Sequence, residues 1–209
     1  ENGQGVAKDY AQAVKWYRQA AGQGLASAQT SLGGMYFTGR GVAKDYAQAV
    51  KWFRQAAGQG NTDAQTLLGS MYWQGQGVAK DYAQAAKWYR KAAGQGNADA
   101  QTLLGSMYYN GQGVRRNYLQ AVKWYRQAAD QGDALAQFGL GGMYYNGQGV
   151  PRDYAQAVKW YRKAADQGDA DAQNSLGLMY DKGRGVAQDY AQAVKYWREA
   201  ASQGNADAQ

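Results

Sequence analysis

Gly-x-Gly-Val occurs six times along this chain, at 3–6, 39–42, 75–78, 111–114, 147–150 and 183–186. Two glycines around one residue, ahead of a helix-like stretch, raise the chemistry of a phosphate-cradling loop, in which backbone N–H groups at a helix N-terminus hold the anion. A dinucleotide loop needs a third glycine and a strand before it, and Gly75–Gln76–Gly77–Val78–Ala79–Lys80 has neither. Six copies fit a shared turn better than six phosphate sites. In that turn the first glycine supplies a left-handed helix stop, the second allows the reversal, and Val tucks into the packing before the next helix cap.

Other reactive chemistry is sparse. Histidine and cysteine are absent, which removes the commonest general base, metal ligand and thiolate nucleophile. Most of the 16 acidic residues fall at expected helix starts or turns, where capping accounts for them. No Ser/His/Asp set, zinc signature or paired interior carboxylate occurs, so no catalytic residue, cofactor or metal site is assigned. Cationic chemistry is the stronger alternative. Lys15 and Arg18 recur in every unit through Lys195 and Arg198, six of each, or twelve of the 23 basic residues, in a chain of formal net charge +7. Regular cation columns could follow RNA phosphates. Against this, Lys15 falls on a solvent face and Arg18 at its edge, where solvated charge is common. Carboxylates such as Asp9 and Asp45 also interrupt the field.

The elements that must position these residues follow from a strict period. "DYAQAVKWYR" at Asp9–Arg18 returns every 36 residues, as Asp45–Arg54, Asp81–Arg90, Asn117–Arg126, Asp153–Arg162 and Asp189–Arg198, and "LGxMY" keeps the same spacing from Leu32. Each unit reads as two helices. Helix B opens at Asp45, with Gln48 completing a capping-box variant. Tyr46, Ala49, Val50, Phe53, Ala56 and Ala57 share its apolar face, and Gly60 stops it. Helix A begins at Asn61 with Asp63 in its first turn. Ala64, Leu68, Met71 and Tyr72 form its stripe, Gly69 allows close approach, and Gly75 ends it. One pair cannot bury its stripe alone, but stacked pairs can. The expected fold is all-α, an α/α solenoid of antiparallel helix pairs. It is one array over 1–209, with a partial repeat at 1–24 (helix B only) and full repeats at 25–60, 61–96, 97–132, 133–168 and 169–204. Residues 205–209, "NADAQ", start a further helix A.

A unit such as "TDAQTLLGSMYWQGQGVAKDYAQAAKWYRKAAGQG" (Thr62–Gly96) resembles the Sel-one-like repeat family, relatives of the tetratricopeptide repeat, and bacterial members most of all. The resemblance covers essentially the whole chain. It implies a right-handed superhelix with helix A lining the concave side, and a non-catalytic scaffold or adaptor role in protein–protein interaction. It also implies a periplasmic or secreted setting, although the residues themselves leave the compartment open. Several relatives carry a disulfide in each repeat, which this cysteine-free chain cannot. Leu25 replaces the Asn/Asp cap of other units, and Tyr196–Trp197 reverses the usual Trp-first order.

Comparing the units with one another locates a candidate binding face. Helix A varies at Thr30/Thr66/Thr102/Phe138/Asn174, at Gly34/Ser70/Ser106/Gly142/Leu178 and at Phe37/Trp73/Tyr109/Tyr145/Asp181. On a helical wheel these lie away from the core stripe. They are expected to form a solvent-facing column with an aromatic ladder suited to an extended peptide or a protein surface. The competing reading packs the ladder rings on the next unit's helix A. Invariant Gln65 and its equivalents are expected to bridge helices rather than touch a ligand. A stripe of Tyr10, Val14 and Tyr17 left unfinished at the start would favour head-to-tail self-association, leaving a purely structural array as a lesser alternative. No run approaches the ~18 apolar residues of a membrane span, so no membrane insertion is expected.

Overall fold

A computed structural model describes residues 9–204, so the first Gly-x-Gly-Val copy and the trailing "NADAQ" lie outside the described residues. Those residues form eleven α-helices and no strand. The B-type helices are α1 (Tyr10–Gly22), α3 (Tyr46–Gly58), α5 (Tyr82–Gly94), α7 (Tyr118–Asp130), α9 (Tyr154–Ala165) and α11 (Tyr190–Ser202). The A-type helices are α2 (Ala26–Thr38), α4 (Thr62–Gln74), α6 (Ala98–Asn110), α8 (Ala134–Asn146) and α10 (Ala170–Lys182). Helices α1–α5 belong to one compact unit, ending at Asn97, and α6–α11 to a second, beginning at Ala98. In each unit every helix packs on the next in chain order.

Helix ends are written into the repeat. The Asp45 carboxylate accepts from the Gln48 backbone N–H at 3.0 Å, and Asp81, Asn117, Asp153 and Asp189 do the same in their repeats. Each such cap contributes about 1 kcal/mol. The reciprocal arm expected of a capping box is replaced. The Asp45 N–H donates instead to the Tyr36 carbonyl of α2 at 2.9 Å, and Asp81 N–H to Tyr72 of α4 likewise. One residue thus caps its own helix and ties it to its partner. Asn61 caps α4 through the Ala64 N–H, whereas Leu25 makes no side-chain cap.

The Gly-x-Gly-Val turn has the expected conformation and a further duty. Gly75 stops α4 at φ 72°. Gly77, at φ 70°, lies so close to the preceding repeat that an added Cβ would sit 2.4 Å from the Tyr46 carbonyl carbon. Val78 then packs on the α3–α4 core. The loop is an inter-repeat contact as well as a reversal.

Ridge-into-groove packing joins the two helices of a repeat. A Cβ on Gly69 of α4 would meet the Tyr89 ring of α5 at 2.6 Å, and Gly33, Gly105, Gly141 and Gly177 face Phe53, Tyr125, Tyr161 and Trp197 in the same way. This explains the reversed Tyr196–Trp197 pair. Trp197 takes the ring-on-glycine place, and Tyr196 takes the tryptophan's, stacked on Tyr180 at 5.7 Å. The tryptophans reach back to the previous repeat, Trp52 onto the α1–α2 core and Trp160 onto the α7–α8 core. The stripe expected to be open on α1 is covered, since Val14 is buried and Tyr10 and Tyr17 pack against α2. On that helix it is Trp16 that stands exposed, at 67%.

A buried glutamine bridges successive B-type helices. Gln65 Nε2 donates to the Ala57 carbonyl near the end of α3 at 3.2 Å, while its Oε1 accepts from Gln95 Nε2 beyond α5 at 2.8 Å. Gln29 does the same between Ala21 and Gln59, and Gln137 between Ala129 and Gln167. A buried amide keeps its solvation cost unless both ends are bonded. Replacement Gln65→Leu is expected to lower unfolding free energy by about 1–3 kcal/mol in chemical denaturation. Gly69→Ala is expected to cost about 1–3 kcal/mol by overpacking against Tyr89, and Tyr89→Leu should recover part of that loss.

Candidate partner-binding surface

Most of the residues singled out on helix A are half-buried rather than solvent-facing, and they split into separate roles. Phe37, Trp73, Tyr109 and Tyr145 pack on Tyr46, Tyr82, Tyr118 and Tyr154, with ring centroids 4.7–5.5 Å apart. Each ring rests on the first residue of the following helix B in its own repeat, and Phe37, Tyr109 and Tyr145 also pack against cores that include the next repeat's helix A. Lys44 and Lys80 cover the far side of two of these pairs, 4.7 and 4.8 Å from the Tyr46 and Tyr82 centroids. Asp181 replaces the ring with a carboxylate paired to Lys182 at 2.8 Å. Thr30 and Thr66 donate to the carbonyls one turn back and to Asn61 and Asn97 of the following repeat. Thr102 is buried, Phe138 lies on Tyr161, and Asn174 is half-buried. Ser70 shares a hydrogen bond of 3.0 Å with the Tyr89 hydroxyl, and Ser106 accepts from Asn110.

The basic columns also have structural partners. Arg18, Arg54, Arg126 and Arg162 donate to the hydroxyls of Tyr36, Tyr72, Tyr144 and Tyr180 at 2.7–3.0 Å. Lys51, Lys123 and Lys159 lie over the neighbouring tryptophan rings at 5.3–5.9 Å. The arginines tie each B-type helix to the A-type helix that follows, while each lysine contact stays within its own helix.

The outward stripe of helix A, half-buried at Ser70, Ser106, Gly139, Gly142 and Ser175 and exposed elsewhere, lies one helical step from the Thr66 and Trp73 positions. In α4 it runs Asp63, Leu67, Ser70, Gln74, and in α6 Asp99, Leu103, Ser106, Asn110. In α8 it runs Leu135, Gly139, Gly142, Asn146, and in α10 Asp171, Ser175, Leu178, Lys182. Sequence comparison captured only Ser70, Ser106, Gly142 and Leu178 of this stripe. The signal for the rest was there, because the positions at 67 and 63 vary between repeats as freely as those at 66 and 73.

In the second unit this stripe opens a cavity of about 430 Å³. Tyr109 and Asn110 of α6 form one wall, and Tyr125 of α7 and Tyr161 of α9 form the floor. Leu135, Phe138, Gly139, Gly142 and Asn146 of α8 complete it. No charged side chain lines it. Burial pushes the Tyr125 phenol up to about 12, with Ser106 opposing through a hydrogen bond and Tyr109 adding to the rise. Tyr161 is raised by burial and by Tyr145, against a hydrogen bond from Ser175. Both phenols stay neutral at physiological pH, offering hydroxyls rather than a base.

Tandem helix pairs of this kind define the all-α class of α/α repeat proteins. The Sel1 repeat model matches residues 1–25, 26–61, 62–97, 98–133, 134–169 and 170–205, and the chain belongs to the Sel1 repeat family. Members of this family generally serve as protein–protein interaction scaffolds and are generally non-catalytic. The chain is similar to c5321, a protective antigen of uropathogenic Escherichia coli strains with this fold. Identity is 46% over 99% of this chain and 44% of that one, with a TM-score of 0.94, so the chain spans less than half of that protein. It is also similar to a Sel1 repeat protein from Oxalobacter formigenes, at 38% identity over 95% of this chain and 79% of that one, with a TM-score of 0.90. A more distant likeness is cysteine-rich protein B of Helicobacter pylori, at 28% identity over 62% and 92% of the two chains, with a TM-score of 0.50. No curated protein matches the chain. Among the described residues no helix is long and apolar enough to cross a membrane.

The raised phenols carry a pH signature. Unfolded tyrosines ionise at the ordinary value of 10, before the buried ones do. Stability is therefore fully present below pH 10 and is lost as pH rises toward and through 12. Urea midpoints should hold up to pH 9 and fall by pH 11, and Tyr125→Phe or Tyr161→Phe should flatten that fall.

Proposed function

We propose that the chain is a non-catalytic protein–protein interaction scaffold that holds an extended segment of a partner protein along the exposed stripes of its A-type helices. The observation that carries this reading is the row of exposed leucines in the second unit. Leu103, Leu135 and Leu178 stand on three successive A-type helices, each of which already buries a full apolar stripe elsewhere. Scattered exposed leucines need no explanation, but these three share one outward face on successive A-type helices, at the second, first and third places of the stripe. On α4 of the first unit Leu67 holds the place that Leu103 holds on α6. The half-buried rings of Phe37, Trp73, Tyr109 and Tyr145 border these stripes and would offer ring edges to a partner. Ser70, Ser106 and Asn174 would add polar contacts.

Two observations weigh against the other classes. The arginine column is engaged by tyrosine hydroxyls, which leaves phosphate-following unsupported. The candidate cavity holds no group that titrates near neutrality, which leaves general acid–base chemistry unsupported.

Display selection of peptides on the full chain tests the reading. Extended peptides rich in apolar residues are expected, and the double variant Leu103→Glu/Leu178→Glu should weaken them by about tenfold or more without moving the melting midpoint. Peptides indifferent to that variant, or salt-sensitive binding of RNA oligonucleotides removed by Lys51→Glu/Lys87→Glu, would overturn it.

A further inference from the structure

Helix α8 carries three glycines in four residues, Gly139, Gly141 and Gly142, and glycine inside a helix destabilises it. Packing accounts for one fully and another in part. A Cβ on Gly141 would stand 2.6 Å from the Tyr161 ring, and one on Gly139 would stand 3.1 Å from Tyr125 Cζ. Gly142 is different. Its Cβ would meet nothing closer than the Tyr161 hydroxyl at 3.7 Å, an ordinary contact. The equivalent positions hold Ser70, Ser106 and Leu178, so the fold accepts a side chain there. Gly34 of α2 is equally unobstructed, but the shallow surface beside it has no aromatic wall.

What the missing side chain leaves is the cavity of about 430 Å³, inside the range of roughly 300–1,000 Å³ typical of ligand clefts. Its chemistry is narrow. Phe138 and Tyr161, 5.7 Å apart and tilted by 37°, leave ring edges and faces for a third ring to meet in offset or edge-on contact. Asn110 and Asn146, at matching positions on neighbouring A-type helices, provide amides at the cavity's margin. A carboxylate or ammonium group would enter without a counter-charge, at a desolvation cost that nothing offsets. The exposed Leu135 lies in the cavity wall, and Leu103 and Leu178 are exposed on the neighbouring α6 and α10.

We infer that this cavity is an anchor pocket for one uncharged aromatic side chain of the partner segment, opened by the absence of a side chain at Gly142. The inference rests on the scaffold reading and adds to it the identity of the anchoring residue. Phe, Tyr or Trp fills the space between Tyr109, Phe138 and Tyr161, while the asparagine amides bond the adjoining peptide groups.

The test is titration of N-acetyl-tyrosinamide and N-acetyl-phenylalaninamide into the full chain, followed by backbone NMR shifts, with N-acetyl-leucinamide and N-acetyl-glutamate amide as comparisons. The aromatic amides are expected to shift Gly139, Gly142 and Asn146 and to bind more tightly than either comparison. Gly142→Leu copies the residue at 178 and should weaken them by about tenfold or more, with a melting midpoint equal to or above the parent's. Gly142→Ser, copying 70 and 106, should give a smaller loss in the same direction and serves if the leucine variant folds poorly. Unchanged binding in both variants, or no preference for aromatic over leucine amide, overturns the inference. If the amides miss α8 while selected peptides still require Leu103 and Leu178, the anchor pocket falls and the scaffold reading stands. Amide binding at α8 with no peptide selected overturns both in favour of a free aromatic ligand.

Discussion

One primary amide per repeat sets the register between successive repeats within each unit. Gln65 gives its N–H to the end of one B-type helix and takes an N–H from beyond the next. The amide therefore has a direction, facing back through Nε2 and forward through Oε1. It is buried, so sliding one repeat against the next would break two bonds where water cannot replace them. Apolar stripes alone tolerate such sliding, because Leu, Ala and Met surfaces are nearly interchangeable at a shift of one turn. The fixed offsets, eight residues back and thirty forward, explain why the 36-residue period runs without an insertion.

The remaining contacts assume that register. Gly77 can approach the Tyr46 backbone only if each repeat meets its neighbour at one height. The same holds for Arg54 reaching the Tyr72 hydroxyl and for Thr30 reaching the cap of the next helix A at Asn61. These are short-range interactions of modest individual strength. Their common spacing makes them additive, in the manner of a one-dimensional array whose stability sums over neighbours.

Much of this was legible in the residues because periodicity reports burial. The stripes on helices A and B, the Asp and Asn caps, the close approach at Gly69 and the bridging role of Gln65 all follow from residue type at a fixed phase. What was hidden were contacts between positions distant in sequence. The cap N–H of Asp45 goes to Tyr36 instead of closing a capping box, and no local pattern distinguishes the two. The exposure of the variable column differs from expectation for a related reason. Variation between repeats was read as exposure, yet Thr30 and Phe37 vary while half-buried, because their neighbours change or tolerate change with them. At 67–68 and 103–104 the stripe through Leu68 already sets the second leucine inward, and Leu67 and Leu103 are exposed as that phase requires.

In a chain of near-copies, whatever is specific to one place must come from a departure. A feature shared by every repeat, such as the Arg–Tyr clamp or the ring on glycine, holds the array together and cannot tell one site from another. The helix containing Leu135, Phe138, Gly139 and Gly142 departs from its neighbours at those four positions at once, and all four line the aromatic-walled cavity. Two of those departures put glycine inside a helix, at a cost of about 0.5–1 kcal/mol each. A compact domain close to its stability limit would feel that loss throughout. In a repeat array the cost stays local, because caps, tryptophans and glutamine bridges on either side supply the same stabilisation again. Redundancy of the scaffold is thus the physical condition that lets a single repeat give up side chains and become a site.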